Sequence, residues 1–159
     1  MNIKEKDSQF IAHTYGRFPL TAAKGKHASC VDETGKSYID FSSGIGVNSL
    51  GFCNAGWLEA VSSQAGVLQH ISNLYYTKPM TDLAQALCER TFAERVFFCN
   101  SGAEANEGMI KTARKYSSDH YGSGRHVIIA LENSFHGRTI ATLSATGQDV
   151  FHQHFGPFV

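Results

Sequence analysis

The chain has 159 residues, 42% of them hydrophobic and 18% charged, which is ordinary globular composition with room for a substantial core and no sign of disorder. Fourteen Lys and Arg balance fourteen Asp and Glu, so no net field favours nucleic acid or an anionic membrane surface as a partner. No apolar run approaches the roughly 18 residues needed to span a bilayer. Met1 leads into polar Asn2–Asp7 rather than a signal-peptide hydrophobic region, so the cytoplasm is the expected compartment. Cys30, Cys53, Cys88 and Cys99 form no CxxC pair, which argues against zinc or a thioredoxin-like site and for free, buried thiols.

Residues 1 to about 25 show no clear periodicity and read as an arm. Ala28–Asp32 and Ser37–Phe41 flank Glu33-Thr34-Gly35-Lys36 and read as a hairpin. The stretch Ser42–Gly51 contains Gly44, Gly46 and Gly51, which let the backbone approach a neighbour closely. Leu58, Val61, Ala65 and Leu68 recur at helical spacing, which predicts an amphipathic helix from 56 to about 70. The aromatic connector Ser72–Thr77 precedes a second helix after Pro79, with Leu83, Leu87 and Phe92 inward and an end near Phe92-Ala93.

Val96–Cys99 is a short apolar run expected to make an interior strand over 95 to 99, and Ser101-x-x-Glu104 is a capping-box signature at the start of a helix. The first-turn N–H groups of such a helix have no intrahelical partner. Its positive dipole end attracts an anion, and Gly102 and Ala103 keep side chains out of the way. The residues by themselves leave two readings open: a phosphate or carboxylate seat, or a well-capped helix that binds nothing. Met109, Ile110, Ala113 and Tyr116 mark the helix's expected buried stripe, and Gly108 is a weak point that implies close packing or tolerated drift. Ser117–Gly124 reads as a loop. Val127–Leu131 is a continuous apolar run, expected to be a strand covered on both faces and to complete a βαβ unit.

Directly after that run stands Glu132-Asn133-Ser134-Phe135-His136-Gly137-Arg138-Thr139. Ligands of open α/β sheets sit outside the carboxyl ends of the strands, so this loop belongs near residues 100–104 if both strands share a sheet. Taken singly, Phe135 reads as core, Arg138 as a surface ion-pair partner worth about 0–1 kcal/mol, and His136 as a loop histidine. His152-x-His154 lacks a third ligand of suitable spacing for a metal.

Several motifs in order, from about Tyr15 to Pro157, carry a resemblance. They are Arg17-Phe18-Pro19, Ile39-Asp40-Phe41 with Gly44-Ile45, Ser72–Thr77, Val96–Glu107, Ser134–Thr139 and Ala141–Gln148. Together they closely resemble the class III, fold-type I, pyridoxal-phosphate-dependent aminotransferases, and best the acetylornithine branch of that class. The resemblance implies an α/β fold with a small-domain arm and the start of a mostly parallel large-domain sheet, divided as residues 1–70 and 71–159. It implies pyridoxal 5'-phosphate as cofactor, with Ser101, Gly102 and Ala103 on its phosphate and Phe135 stacked on its ring. Arg138 would bind the substrate α-carboxylate, a task suited to a planar fork. Tyr15, Asn73 and Tyr76 would lie near the substrate side or a homodimer seam. The implied reaction moves the δ-amino group of N-acetylornithine to 2-oxoglutarate in arginine biosynthesis.

The sequence departs from that family in length, since members run to about twice this size or more. The lysine that would link the cofactor covalently lies downstream of everything matched, and no lysine follows Lys115. Lys111 is some 14 Å along the helix from the seat at about 1.5 Å per residue, too far to substitute. No catalytic residue is therefore assigned within the chain, which reads as the amino-terminal portion of a longer enzyme and is expected to be inactive alone. Gly51-Phe52-Cys53-Asn54-Ala55 also departs from a Gly-His-Cys-His-Pro-like stretch. Succinylornithine, ornithine and 4-aminobutyrate aminotransferases, and a non-catalytic phosphate-binding fragment, remain as alternatives.

Overall fold

In the computed structural model, which describes every residue from Met1 to Val159, the chain separates into two units, Met1–Tyr75 and Tyr76–Val159. The first unit begins with a helix where the sequence predicts an irregular arm. Helix α1 (Ile3–Phe10) starts because Glu5 N–H donates to Asn2 Oδ1 at 2.9 Å while Asn2 N–H donates to Glu5 Oε2 at 2.8 Å. That reciprocal cap suffices for two turns with no buried residue, which is why no apolar periodicity announces it.

Strand β1 (Ala22–Lys26) is the second correction to the arm. Its sequence, Ala-Ala-Lys-Gly-Lys, has little strand preference, and pairing rather than propensity makes it a strand. It runs antiparallel to β2 (Ser29–Asp32), which runs antiparallel to β3 (Ser37–Ile39), in the order β1-β2-β3. Phe52 fits against β1 only because residue 25 is glycine, since a Cβ there would lie 2.5 Å from the Phe52 ring. The β2–β3 hairpin is as expected, and Asp32 fastens its turn. Its Oδ1 accepts from Thr34 N–H at 2.8 Å and Lys36 N–H at 3.0 Å, and its Oδ2 accepts from the Tyr38 hydroxyl at 2.9 Å. Helix α2 (Ala55–Ala65) begins where Asn54 Oδ1 accepts from Trp57 N–H at 3.0 Å, and it ends short of the expected residue 70.

In the second unit α3 (Lys78–Arg90) has Pro79 in its first turn, where a missing N–H costs nothing. It ends before Phe92, which is fully exposed rather than inward. Helix α4 (Gly102–Tyr121) runs on through residues expected as loop. Lys115 pairs with Asp119, the Tyr116 and His120 rings stack at 4.0 Å, and Gly122 at φ 77° ends the helix. Of the expected stripe only Ile110 is buried; Met109 and Tyr116 are about half exposed. Gly108 has a packing reason, because a Cβ there would stand 3.1 Å from the Phe97 ring.

The segments 95–99 and 127–131 are not strands in this structure, and the expected βαβ unit does not form. A strand exists through its hydrogen-bonded neighbour, and no backbone hydrogen bond joins these two segments. Ile129 is accordingly 92% exposed, where the sequence predicts burial on both faces. The buried residues are Ile110, Gly137, Thr142, Leu143 and Thr146, all where α4 meets α5 (Ile140–Ala145). A 3-10 turn, Asp149–Phe151, follows. The cysteines are free but not buried: Cys53 and Cys99 are exposed and Cys30 and Cys88 half-buried. No helix is long and apolar enough to cross a membrane.

Candidate functional site at the start of α4

Ser101 is the N-cap of α4, and its Oγ accepts from Glu104 N–H at 3.2 Å. The other half of the expected capping box is displaced by one residue. Glu104 Oε2 accepts from Asn100 N–H at 2.6 Å and from the Asn100 side chain at 3.0 Å, rather than from Ser101 N–H. The carboxylate thus holds the residue before the cap. The N–H groups of Gly102 and Ala103, first in the helix, have no intrahelical acceptor. A Cβ on Gly102 would meet nothing within 4 Å, so the approach to these donors is open.

The loop 134–139 is fastened beside this helix start, as the sequence predicts, but by helix contacts rather than by a shared sheet. Gly137 makes the approach possible. At φ 135° it occupies backbone space that side chains rarely tolerate, and a Cβ there would lie 2.8 Å from Ala103 Cβ and 2.5 Å from Thr142 Oγ1. Asn106 Nδ2 donates to His136 O at 2.7 Å, and the Thr139 hydroxyl donates to Glu107. From beneath, Thr146 Oγ1 accepts from His136 N–H at 3.0 Å and donates to Gly137 O at 3.2 Å or Thr142 O at 3.0 Å. Every buried polar side-chain atom here has a partner.

Phe135 is 51% exposed. The Arg138 guanidinium carbon lies 5.3 Å from its ring centroid and 5.4 Å from that of Phe151. Ser101, Gly102, Ala103, Phe135 and Arg138 therefore belong to one helix start and the loop packed on it. Tyr15 and Asn73 fall in the first unit, and Tyr76, 98% exposed, opens the second. The His152 ring nitrogen is engaged with Leu143 O at 2.9 Å. Asn106, Glu107, Thr142 and Thr146 fasten the site although none is a candidate from the sequence. Thr142 and Thr146 had a signal, one helical turn apart beside the loop; Phe151 had none.

The model of the aminotransferase class-III family matches residues 10–159. The chain belongs to the class III aminotransferases. Among relatives of this class III chain, the acetylornithine aminotransferase of Haemophilus ducreyi is 57% identical over 98% of this chain and 40% of its own length. The succinylornithine transaminase of Citrobacter koseri is 44% identical over 97% of this chain and 38% of its own. The chain thus spans about 40% of the curated relatives it matches.

Among solved structures, an ornithine aminotransferase from Toxoplasma gondii with partial occupancy of PLP superposes with a TM-score of 0.91 at 28% identity. It covers 98% of this chain and 37% of that one. An ω-transaminase from Pseudomonas jessenii in complex with PMP superposes with a TM-score of 0.88 at 29% identity, covering 98% and 37%. The fold is therefore that of the fold-type I transaminases, followed by this chain even where its strand segments lack neighbours. Class III aminotransferases use pyridoxal phosphate. The residues present suit a phosphate: two first-turn N–H groups, open space over Gly102 and no acidic side chain among Ser101, Gly102 and Ala103.

Proposed function

We propose that this chain supplies the cofactor-phosphate seat and the substrate-carboxylate clamp of an aminotransferase moving the δ-amino group of N-acetylornithine to 2-oxoglutarate, in arginine biosynthesis. The observation that carries the reading is the fastening of the 134–139 loop onto the start of α4 by Gly137 against Ala103 and Asn106 on His136. That contact fastens the loop carrying the half-exposed Phe135 ring and the Arg138 guanidinium to the helix start with its two unpaired N–H groups, which supports the reading.

In this reading the N–H groups of Gly102 and Ala103, with the Ser101 hydroxyl, hold the phosphate, and the helix dipole favours its charge. Phe135 sets the plane of the cofactor ring by stacking. Arg138 pairs bidentately with the substrate α-carboxylate and orients the amino group toward the reacting centre. Pyridoxal 5'-phosphate, when bound, supplies the electron sink that carries the amino group between donor and acceptor. This chain's residues bind and orient; the linking lysine is not among them, since none follows Lys115. Residues 1–70 are assigned to the arm and small domain and 71–159 to the first part of the cofactor-binding domain. The complete protein acts as a cytoplasmic homodimer.

The Haemophilus ducreyi relative at 57% identity supports N-acetylornithine, and the Citrobacter koseri relative at 44% favours N-succinylornithine as the second reading. Steady-state kcat/KM of the complete holoprotein on N-acetylornithine, N-succinylornithine, ornithine and 4-aminobutyrate tests the choice. N-acetylornithine is expected to be the best donor; a clear preference for ornithine contradicts it.

A further inference from the structure

Phe151 lies outside every motif that carries the family resemblance, yet it touches both aromatic and cationic members of the site. Its ring centroid is 5.8 Å from that of Phe135 at an interplanar angle of 66°, and the Arg138 guanidinium lies 5.4 Å from its centre. Tilted ring pairs and cations over ring faces are both attractive through the aromatic quadrupole. The turn that presents Phe151 is itself held. Phe151 N–H donates to Gln148 O at 3.0 Å, and Gln148 Nε2 donates to the carbonyls of Asn133 and Ser134, each at 3.2 Å. The next residue, His152, has its ring engaged with Leu143 O at 2.9 Å. The backbone that carries Phe151 is therefore tied to the loop that carries Phe135 and, through His152, to α5.

The geometry points to Phe151 as a positioning residue for carboxylate-bearing substrates: its ring props Phe135 and forms a shelf for the Arg138 guanidinium. Phe151 acts through these two groups. The inference rests on the roles proposed for Phe135 and Arg138. A phenylalanine that only fills space can be exchanged for an aliphatic side chain of similar size. A shelf for a cation cannot, because leucine has no quadrupole to orient the guanidinium before the carboxylate arrives.

The test is calorimetric titration of the complete holoprotein with 2-oxoglutarate, whose affinity reads the carboxylate clamp without turnover. Phe151→Leu is expected to weaken binding about two- to fivefold, the range of an exposed cation–ring contact. Phe151→Tyr restores the affinity that leucine loses. In an Arg138→Lys background, Phe151→Leu is expected to add less than it costs alone, since the contact is already altered. Phe151→Met carries the same expectation as leucine and serves if the leucine variant does not fold. If Arg138→Lys weakens binding while Phe151→Leu and Phe151→Met match the parent, this inference falls and the carboxylate role of Arg138 stands. Failure of tyrosine to restore affinity, or full additivity with Arg138→Lys, also overturns it. If Arg138→Lys leaves affinity unchanged, the clamp reading fails and takes this inference with it.

Discussion

Asn106 Nδ2 donates to the carbonyl oxygen of His136 at 2.7 Å across a sequence separation of 30 residues. The bond joins the second turn of α4 to the loop bearing Phe135 and Arg138, and it is part-buried. Removing it with Asn106→Ala leaves that carbonyl without its donor, at an expected cost of about 1–2 kcal/mol in denaturant unfolding of the complete protein. Cofactor retention on dialysis is expected to fall in the same variant, because the loop loses one of its fasteners to the helix.

Gly137 gives a sharper outcome. An alanine there meets Thr142 Oγ1 at 2.5 Å and Ala103 at 2.8 Å, on a backbone with φ 135°. Strain and overlap together are expected to cost roughly 2–4 kcal/mol and to move the loop off the start of α4. Unfolding midpoint and 2-oxoglutarate affinity measured on Gly137→Ala check this. An alanine variant that matches the parent in both contradicts the close approach.

Thr146 is 1% exposed, and its hydroxyl accepts from His136 N–H and donates to a backbone carbonyl. Thr146→Val keeps the shape and removes the partner of a part-buried N–H. The expected loss is about 1–3 kcal/mol, larger than that of Thr146→Ser, which keeps the hydroxyl. Chemical unfolding of the two variants side by side measures the difference.

In the first unit, the hydrogen bond from Thr34 is the largest influence on Asp32, and with those from Tyr38 and the backbone it pushes the Asp32 pKa from 3.8 down to about 2. The group is more acidic folded than unfolded. Its contribution to hairpin stability is therefore fully present above pH about 3.8 and is lost as pH falls toward 2. Asp32→Asn is expected to flatten the pH dependence of β2–β3 unfolding in that window. Nuclear magnetic resonance titration of the Asp32 carboxyl checks the midpoint directly.

Lys111 gives a prediction about reach. It lines an apolar groove along α4 with Phe97, Met109 and Tyr116, in the third turn and away from the first-turn donors. The 159-residue chain supplied with pyridoxal phosphate is expected to show no transaminase turnover and no lysine-linked cofactor absorbance. Absorbance of that kind, lost in Lys111→Ala, contradicts the placement.

What the sequence made legible followed how local each signal is. The β2–β3 hairpin and the starts of α2 and α4 depend on residues within a few positions, such as Asp32, Asn54 and Ser101, and these were readable. Helix α1 was readable in principle through Asn2-x-x-Glu5 but hides no apolar face. Strand β1 was not, because Ala-Ala-Lys-Gly-Lys is a strand only by virtue of β2. The runs 95–99 and 127–131 carry strand composition, yet composition does not supply a neighbour to bond with. At the site, Phe135 and Arg138 were visible as members of a recognisable motif. Phe151 was not, because its relation to them exists only after the chain turns back through Asp149–Phe151.

Where the cofactor phosphate sits decides the role of the α4 start, and a crystal structure of the complete protein with pyridoxamine 5'-phosphate measures it. The phosphate is expected on the Gly102 and Ala103 N–H groups and the Ser101 hydroxyl, with the Phe135 ring against the cofactor ring. A phosphate bound away from the start of α4, or a Phe135 ring turned from the cofactor, contradicts it.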